Sequence, residues 1–273
     1  MRDADAYKPP PTDTPPSPED VESARVAKIN QRLSHASYVL SAVESKRYEL
    51  LIAADKLVEE GLLNKSEPAT DWNDPVKYYV PDSSEKRVVL SYDQDRHEET
   101  KLTKYDSEGR IKQEISRRGE YNSILIDRTS KYHDNGKLAS VHTVNNNTND
   151  TLNGKHTILY DTHGRRISFN HTDQKGNKRH TLTFEYGQDS SEKYPRSEEE
   201  VVYDEGGNKS RHTKKQSSDV YSSESTTTHF RPDKTEERQI FHIRKDNVAT
   251  QHRTTYYDAE GNIERVEEKP LDQ

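Results

Sequence analysis

Apolar residues fall at two different rhythms along this chain, and the change of rhythm divides it. From Val26 they recur at Ile29, Leu33, Ala36, Leu40 and Val43, in alternating steps of three and four. That spacing lines one stripe of an α-helix in the a/d pattern of a coiled coil. The frame continues through Leu50, Ala54 and Leu57, interrupted by Arg47. Ser17 reads as the N-cap, Pro18 suits the first helical position, and Glu19 and Asp20 complement the positive end of the dipole. Gly61 offers the C-cap. The pattern predicts a long helix over 17–63, or a helical hairpin if the chain turns back near Ser41–Lys46. An apolar stripe has to be covered, so the helix either self-associates into a homo-oligomer or packs as a lid on the remainder of the chain.

Beyond residue 82 the rhythm changes to a period of two, the pattern of a strand with two distinct faces. Ile167, Phe169 and His171 share one face of a strand, and His180, Leu182, Phe184 and Tyr186 share another. A recurring turn punctuates these strands. Tyr105-Asp106-Ser107-Glu108-Gly109-Arg110 returns as Tyr132-His133-Asp134-Asn135-Gly136-Lys137, and again as Tyr160-Asp161-Thr162-His163-Gly164-Arg165. Further copies begin at Tyr203 and Tyr257, with weaker ones at Tyr186 and Phe230. The aromatic positions 105, 132, 160, 186, 203, 230 and 257 are spaced by 27, 28, 26, 17, 27 and 27, so the period is near 27 with one shortened unit. In each copy an aromatic ends a strand, polar residues turn, and Gly takes the positive-φ position. Second turns such as Gln174-Lys175-Gly176-Asn177 lie between them.

The fold class is therefore mainly β: a long antiparallel meander of repeated hairpins, roughly a dozen strands in a single layer. It occupies 82–268. A disordered Pro-rich tail (1–16), the helix or helical hairpin (17–63) and a linker (64–81) carrying Pro68, Pro75, Pro81 and the lone Trp72 precede it.

Composition supports a thin fold. Apolar residues make up 28% and charged residues 33% of the 273, against about 45–50% and about 25% in ordinary domains. The net charge of −7 comes from 49 acids and 42 bases mixed along the chain. That pattern lacks the clustered footprint of a nucleic-acid binder, so none is expected as a partner. No apolar run is long enough for a transmembrane span, and Met1–Ala6 has no secretory apolar stretch. The expected location is cytoplasmic, with signal-peptide-independent secretion as the alternative.

The hairpin units resemble the bacterial MORN-like repeats, whose consensus approximates Gly-Lys, five residues, Tyr, three residues, Gly-Lys/Arg. The stretch Gly154-Lys155-His156-Thr157-Ile158-Leu159-Tyr160-Asp161-Thr162-His163-Gly164-Arg165 carries that likeness. The Tyr-Asp-x-x-Gly-Arg units are also similar to the YD repeats of RHS-type proteins. The resemblance spans about residues 87–268, and the strand tryptophans common in MORN-like units are absent. It implies an elongated platform that binds proteins, and no catalytic residues.

Motifs that carry chemistry are scarce. No phosphate-binding Gly loop, Gly-x-Ser-x-Gly elbow or His-Glu-x-x-His motif is present, and with no cysteine there is no thiolate chemistry. His171 and His180 fall opposite each other if the hairpin between them is tight, but two imidazoles fall short of the four protein ligands of a structural metal site. The turn acids Asp106, Glu108, Asp134 and Asp161 match no calcium-loop spacing and read as turn caps. No enzyme, cofactor or metal is expected. The candidate binding residues are Tyr105, Tyr132, Tyr160, Tyr186, Tyr203 and Tyr257, read either as cross-strand packing or as an adhesive row. The expected function is a repeat platform binding a protein partner, with the helix serving oligomerisation or docking. The alternatives are a bacterial effector acting in another cell and an immunity protein that binds a toxin.

Overall fold

A computed structural model describes residues 17–42, 47–66, 75–81, 87–93, 99–118, 123–148, 150–189, 193–217, 222–245 and 248–269. The Pro-rich tail, Val43 and Trp72 lie outside them. Two helices, α1 (Pro18–Ala42) and α2 (Arg47–Glu59), come first. Ser17 caps α1 reciprocally: its Oγ accepts from the Asp20 amide at 3.2 Å, and the Asp20 carboxylate accepts from the Ser17 amide at 3.1 Å. At the far end of α2, Gly61 has a φ of 71°, and the Leu62 amide donates to the Leu57 carbonyl at 2.9 Å.

Sixteen strands come after the helices. They are β1 (Asn64–Lys65), β2 (Val76–Tyr79), β3 (Val88–Asp93), β4 (Glu99–Tyr105), β5 (Ile111–Arg118), β6 (Ser123–Tyr132), β7 (Leu138–Asn145) and β8 (Gly154–Tyr160). The second half comprises β9 (Arg166–Thr172), β10 (Lys178–Glu185), β11 (Ser197–Tyr203), β12 (Lys209–Ser217), β13 (Ser223–Phe230), β14 (Glu236–Lys245), β15 (Val248–Tyr257) and β16 (Ile263–Lys269). Every strand pairs antiparallel with its neighbour in sequence, in one sheet ordered from β1 to β16. The ladder begins earlier than the rhythm of two suggests. The stretch 64–81, expected as a linker, contributes β1 and β2.

Density of apolar burial is concentrated at the amino-terminal end. Tyr78, Leu90 and Leu102 stand opposite one another on three adjacent strands, on one face of the sheet. Leu33, Ala36 and Leu40 of α1 and Leu50, Ala54 and Leu57 of α2 bury against them. The stripe that the spacing assigns to a coiled coil thus closes a core within one chain. Val26, at the start of the stripe, stays 40% exposed. α1 ends at Ala42 and α2 begins at Arg47, and both helices bury side chains in the same core. The side of the sheet carrying Tyr78, Leu90 and Leu102 is the helix face, and the other is the open face.

Past β5 no second layer covers the sheet among the described residues, and strands meet only their immediate neighbours. Stability there rests on coupling between adjacent hairpins, as in other repeat arrays. Cross-strand charge helps set the pairing. Glu198 and Glu199 on β11 stand opposite Lys215 and Lys214 on β12.

Candidate binding face of the sheet

Seven turns among the described residues share one geometry, beginning at Asp106, His133, Asp161, Asp173, Asp204, Arg231 and Asp258. At Asp161, its amide donates to the Arg165 carbonyl and the Gly164 amide returns to the Asp161 carbonyl, both at 2.9 Å. The residue fourth in each turn has positive φ: glycine in six, and Lys234, at 73°, in the seventh. The aspartate caps its own turn. Asp161 Oδ1 accepts from the His163 and Arg165 amides, and Oδ2 takes the Arg165 Nε at 2.7 Å. Burial pushes the Asp106 and Asp161 carboxyls up, but bonds from Arg110 and Arg165 outweigh it and hold both below the usual value. In most of these hairpins the register shifts just before the preceding aromatic, as between Leu159 and Tyr160, where Ile167 is the extra residue on the strand after the turn.

The turns lie at two edges of the sheet. Those at 106, 133 and 161 join β4 to β5, β6 to β7 and β8 to β9 at one edge. Those at 173, 204, 231 and 258 join β9 to β10, β11 to β12, β13 to β14 and β15 to β16 at the other. The switch falls at β9, which has a tight turn at each end. Gln174–Asn177, expected as a secondary turn, has the primary geometry. Tyr186 precedes no such turn, and the shortened repeat is this change of edge.

The six candidate tyrosines are therefore divided. Tyr105, Tyr132, Tyr160 and Tyr186 stand at the first edge, Tyr203 and Tyr257 at the second. All six are half-buried. The hydroxyls of Tyr105, Tyr132 and Tyr186 donate to the carbonyls of Val88, Ile111 and Arg166 at 3.0, 2.8 and 3.1 Å. Arg110 lies 4.7 Å over the Tyr132 ring and Arg165 4.6 Å over that of Tyr186. Burial raises the Tyr105 phenol to about 12. These contacts tie each hairpin to the one before it. Neighbouring turns also touch directly, as where Asn135 donates to the Thr162 carbonyl at 2.7 Å.

What the sequence concealed is the sorting of side chains between faces. In-register pairing draws a row across the open face from Thr103 through Glu114, Arg128 and Thr143 to His156, His171 and His180. It continues through Val202, Arg211, His229, Arg238 and Tyr256 to Arg265. Rows on the helix face over the same strands set Gln113, Thr129, His142, Thr157, Asn170 and Thr181 beside Asp127 and Lys155. Beside the three consecutive imidazoles runs an apolar row of Val141, Ile158, Phe169 and Leu182. Phe169 meets His180 edge-on at 5.4 Å.

His171 and His180 do stand opposite each other, but each is engaged elsewhere. His171 Nε2 lies 3.1 Å from the Asn153 carbonyl, and His180 Nε2 2.9 Å from Glu200 Oε1. No group of three or more His, Asp or Glu among the described residues is arranged to hold a metal ion. Two hollows flank the sheet. One of about 910 Å³ lies along α1, past Gln31, His35 and the exposed Tyr38, beside Leu62 and the turn at Ser107 and Glu108. Another of about 520 Å³ opens at the first edge beside Ser217, Ser223 and Arg244. No described helix is long and apolar enough to cross a membrane.

No family model matches the chain, and no curated protein matches it. Among solved structures, the Photorhabdus luminescens Tc holotoxin pore with a TccC3 mutation aligns at 11% identity and a TM-score of 0.26. The TcdB2–TccC3 crystal structure aligns at 12% and 0.26. Both alignments cover 67% of this chain and 12% of the other. A TarM mutant of S. aureus, bound to fondaparinux, α-GlcNAc-glycerol and UDP, aligns at 11% identity and 0.19, over 62% of this chain and 30% of that one. Likeness of this degree adds nothing to the architecture of the sheet.

Proposed function

We propose that the protein is a non-enzymatic platform that binds another macromolecule along the open face of its sheet. The supporting observation is the asymmetry of the two faces. The helix pair lies against the helix face at one end, while the open face carries the continuous row from Thr103 to Arg265 with no element over it among the described residues. An uncovered face with imidazole, guanidinium and apolar rows side by side offers the chemistry of an interface. The helix pair closes the amino-terminal end of the array, and the hollow along α1 is its own docking surface.

Site-specific photo-cross-linking tests the reading. A photoreactive residue at Thr227, on the open face, captures the partner in cells, and one at Thr226, on the helix face, does not. Equal capture from both positions, or from neither, overturns it.

A further inference from the structure

Resting on the open face as the binding surface, we propose that its sector over β12–β15 receives an extended acidic polypeptide segment, laid across the strands between two rows of cations. Three in-register rows build this sector. Arg211, His229 and Arg238 form one, ending at Tyr256. Thr213, Thr227, Ile240 and Thr254 form the second. Lys215, Ser225, His242 and His252 form the third, with Arg244 one step further along β14. The middle row is a hydroxyl-lined lane, with the Thr213 and Thr227 hydroxyls 3.1 Å apart.

Within β12–β15, Glu237, beside His229, is the carboxylate near this side among the described residues. Glu224 belongs to the helix face, and Glu237 sits in the bulge that begins β14. Carboxylates close the sector at both borders. Glu200 on β11 holds Arg211 Nη2 at 3.0 Å, and Glu267 on β16 holds Arg265 Nε at 3.3 Å. Within the sector, the Nε atoms of Arg211 and Arg238 are buried with no hydrogen-bond partner among the described residues.

The spacing identifies the ligand class. The two cationic rows lie four residues apart along the strands, about 13 Å. A polypeptide in extended form points alternate side chains to opposite sides, so acids in such a segment reach both rows while its backbone faces the hydroxyls. Guanidinium groups match carboxylates two-pronged. A single-stranded nucleic acid requires aromatic faces for its bases, and the Tyr256 ring is covered by Arg265 at 4.2 Å.

The imidazoles provide an independent readout. Burial, then Arg238 and Arg211, lower the His229 pKa against Glu237, which raises it. Burial, then His252 and Arg244, lower that of His242. Both are neutral at neutral pH and gain charge on acidification, so binding of an acidic segment strengthens as pH falls below about 6.5.

Fluorescence anisotropy with the full chain and a labelled peptide of alternating Glu and Ser tests the proposal. Arg238→Gln combined with Arg244→Gln weakens binding roughly tenfold. Lys215→Gln, in the other row on an exposed stem, weakens it as well and guards against a fold defect in the double variant, which circular dichroism also checks. The helix-face control Lys214→Gln with Arg253→Gln leaves binding unchanged. Unaltered affinity in the open-face variants, an equal loss in the control, no binding of the peptide, or tighter binding of heparin or a single-stranded oligonucleotide overturns it. Failure here with selective cross-linking from Thr227 intact removes the acidic segment alone; loss of both removes the platform reading with it.

Discussion

Asp161 and Asp173 stand at the two ends of β9 and build the same turn on opposite edges of the sheet. Their separation is 12 residues, one strand, where the other turns of this kind are separated by two. An even number of strands between turns keeps them on one edge, and a single strand moves them to the other. The ladder of turn-to-turn contacts therefore runs along the first edge up to β9 and along the second beyond it. There Arg231 donates to the Asp258 carbonyl at 3.1 Å.

The turn geometry predicts that Lys234→Gly stabilises the array. Lys234 is the non-glycine residue holding the left-handed position, at a φ of 73°. A side chain there costs about 1–2 kcal/mol, partly offset by the greater freedom of glycine in the unfolded chain. A gain of about 0.5–1 kcal/mol is expected from denaturant titration, with an unchanged slope.

Gly154→Ala acts in the opposite direction and more strongly. Its φ is 126°, and a Cβ there would come within 2.1 Å of the Thr172 carbonyl oxygen. Backbone cannot retreat as a side chain can, so a loss of about 2–4 kcal/mol is expected. Gly136→Ala, with positive φ but open space around it, costs about 1–2 kcal/mol in the same titration.

The tyrosines are predicted to serve stability. Tyr132→Phe removes the bond to the Ile111 carbonyl and costs about 0.5–1.5 kcal/mol. Tyr132→Ala also removes the ring beneath Arg110 and costs more. Partner capture from Thr227 is unaffected by Tyr132→Phe; weakened capture at unchanged stability would restore the adhesive-row reading.

Acid destabilises the fold in two stages. His156, His229 and His242 have lowered pKa values, in each case from burial first. The unfolded chain takes up those protons first, so stability is full above about 6.5 and declines as pH falls below it. The turn aspartates give the second stage. Bonds from Asn208 and Asn262 lower Asp204 and Asp258, and bonds from Arg110 and Arg165 do so for Asp106 and Asp161. Their contribution is present above the unfolded value of about 3.9 and is lost as pH falls through the lower folded values. Thermal unfolding across pH should show both declines, and His156→Gln should diminish the first.

Leu33→Ala, at a site with 0% exposure, is expected to cost about 2–5 kcal/mol at the helix-covered end. Hydrogen exchange should show lost protection in α1, α2 and β2–β4 with β12–β16 little changed, because strands beyond the helices touch only their neighbours. Uniform loss along the array would mean that the whole sheet unfolds as one unit.

Local features were readable from the chain alone. The N-cap at Ser17, the stripe through Leu33 and Leu40, and the turns at Asp106, Asp161 and Asp258 each depend on residues a few positions apart, because capping and positive φ are satisfied within one turn of backbone. The antiparallel meander is a consequence of those turns. Tertiary structure alone decided what covers Leu33 and Leu40, since an a/d stripe suits a sheet as well as a second helix. It also decided the edge of each turn and the face of each charge. Those depend on the number of strands between turns and on bulges such as Leu159/Tyr160, where one extra residue reverses the alternation. Arg211, His229 and Arg238 are far apart in a chain whose charges look evenly mixed, and only the register of β12, β13 and β14 brings them side by side.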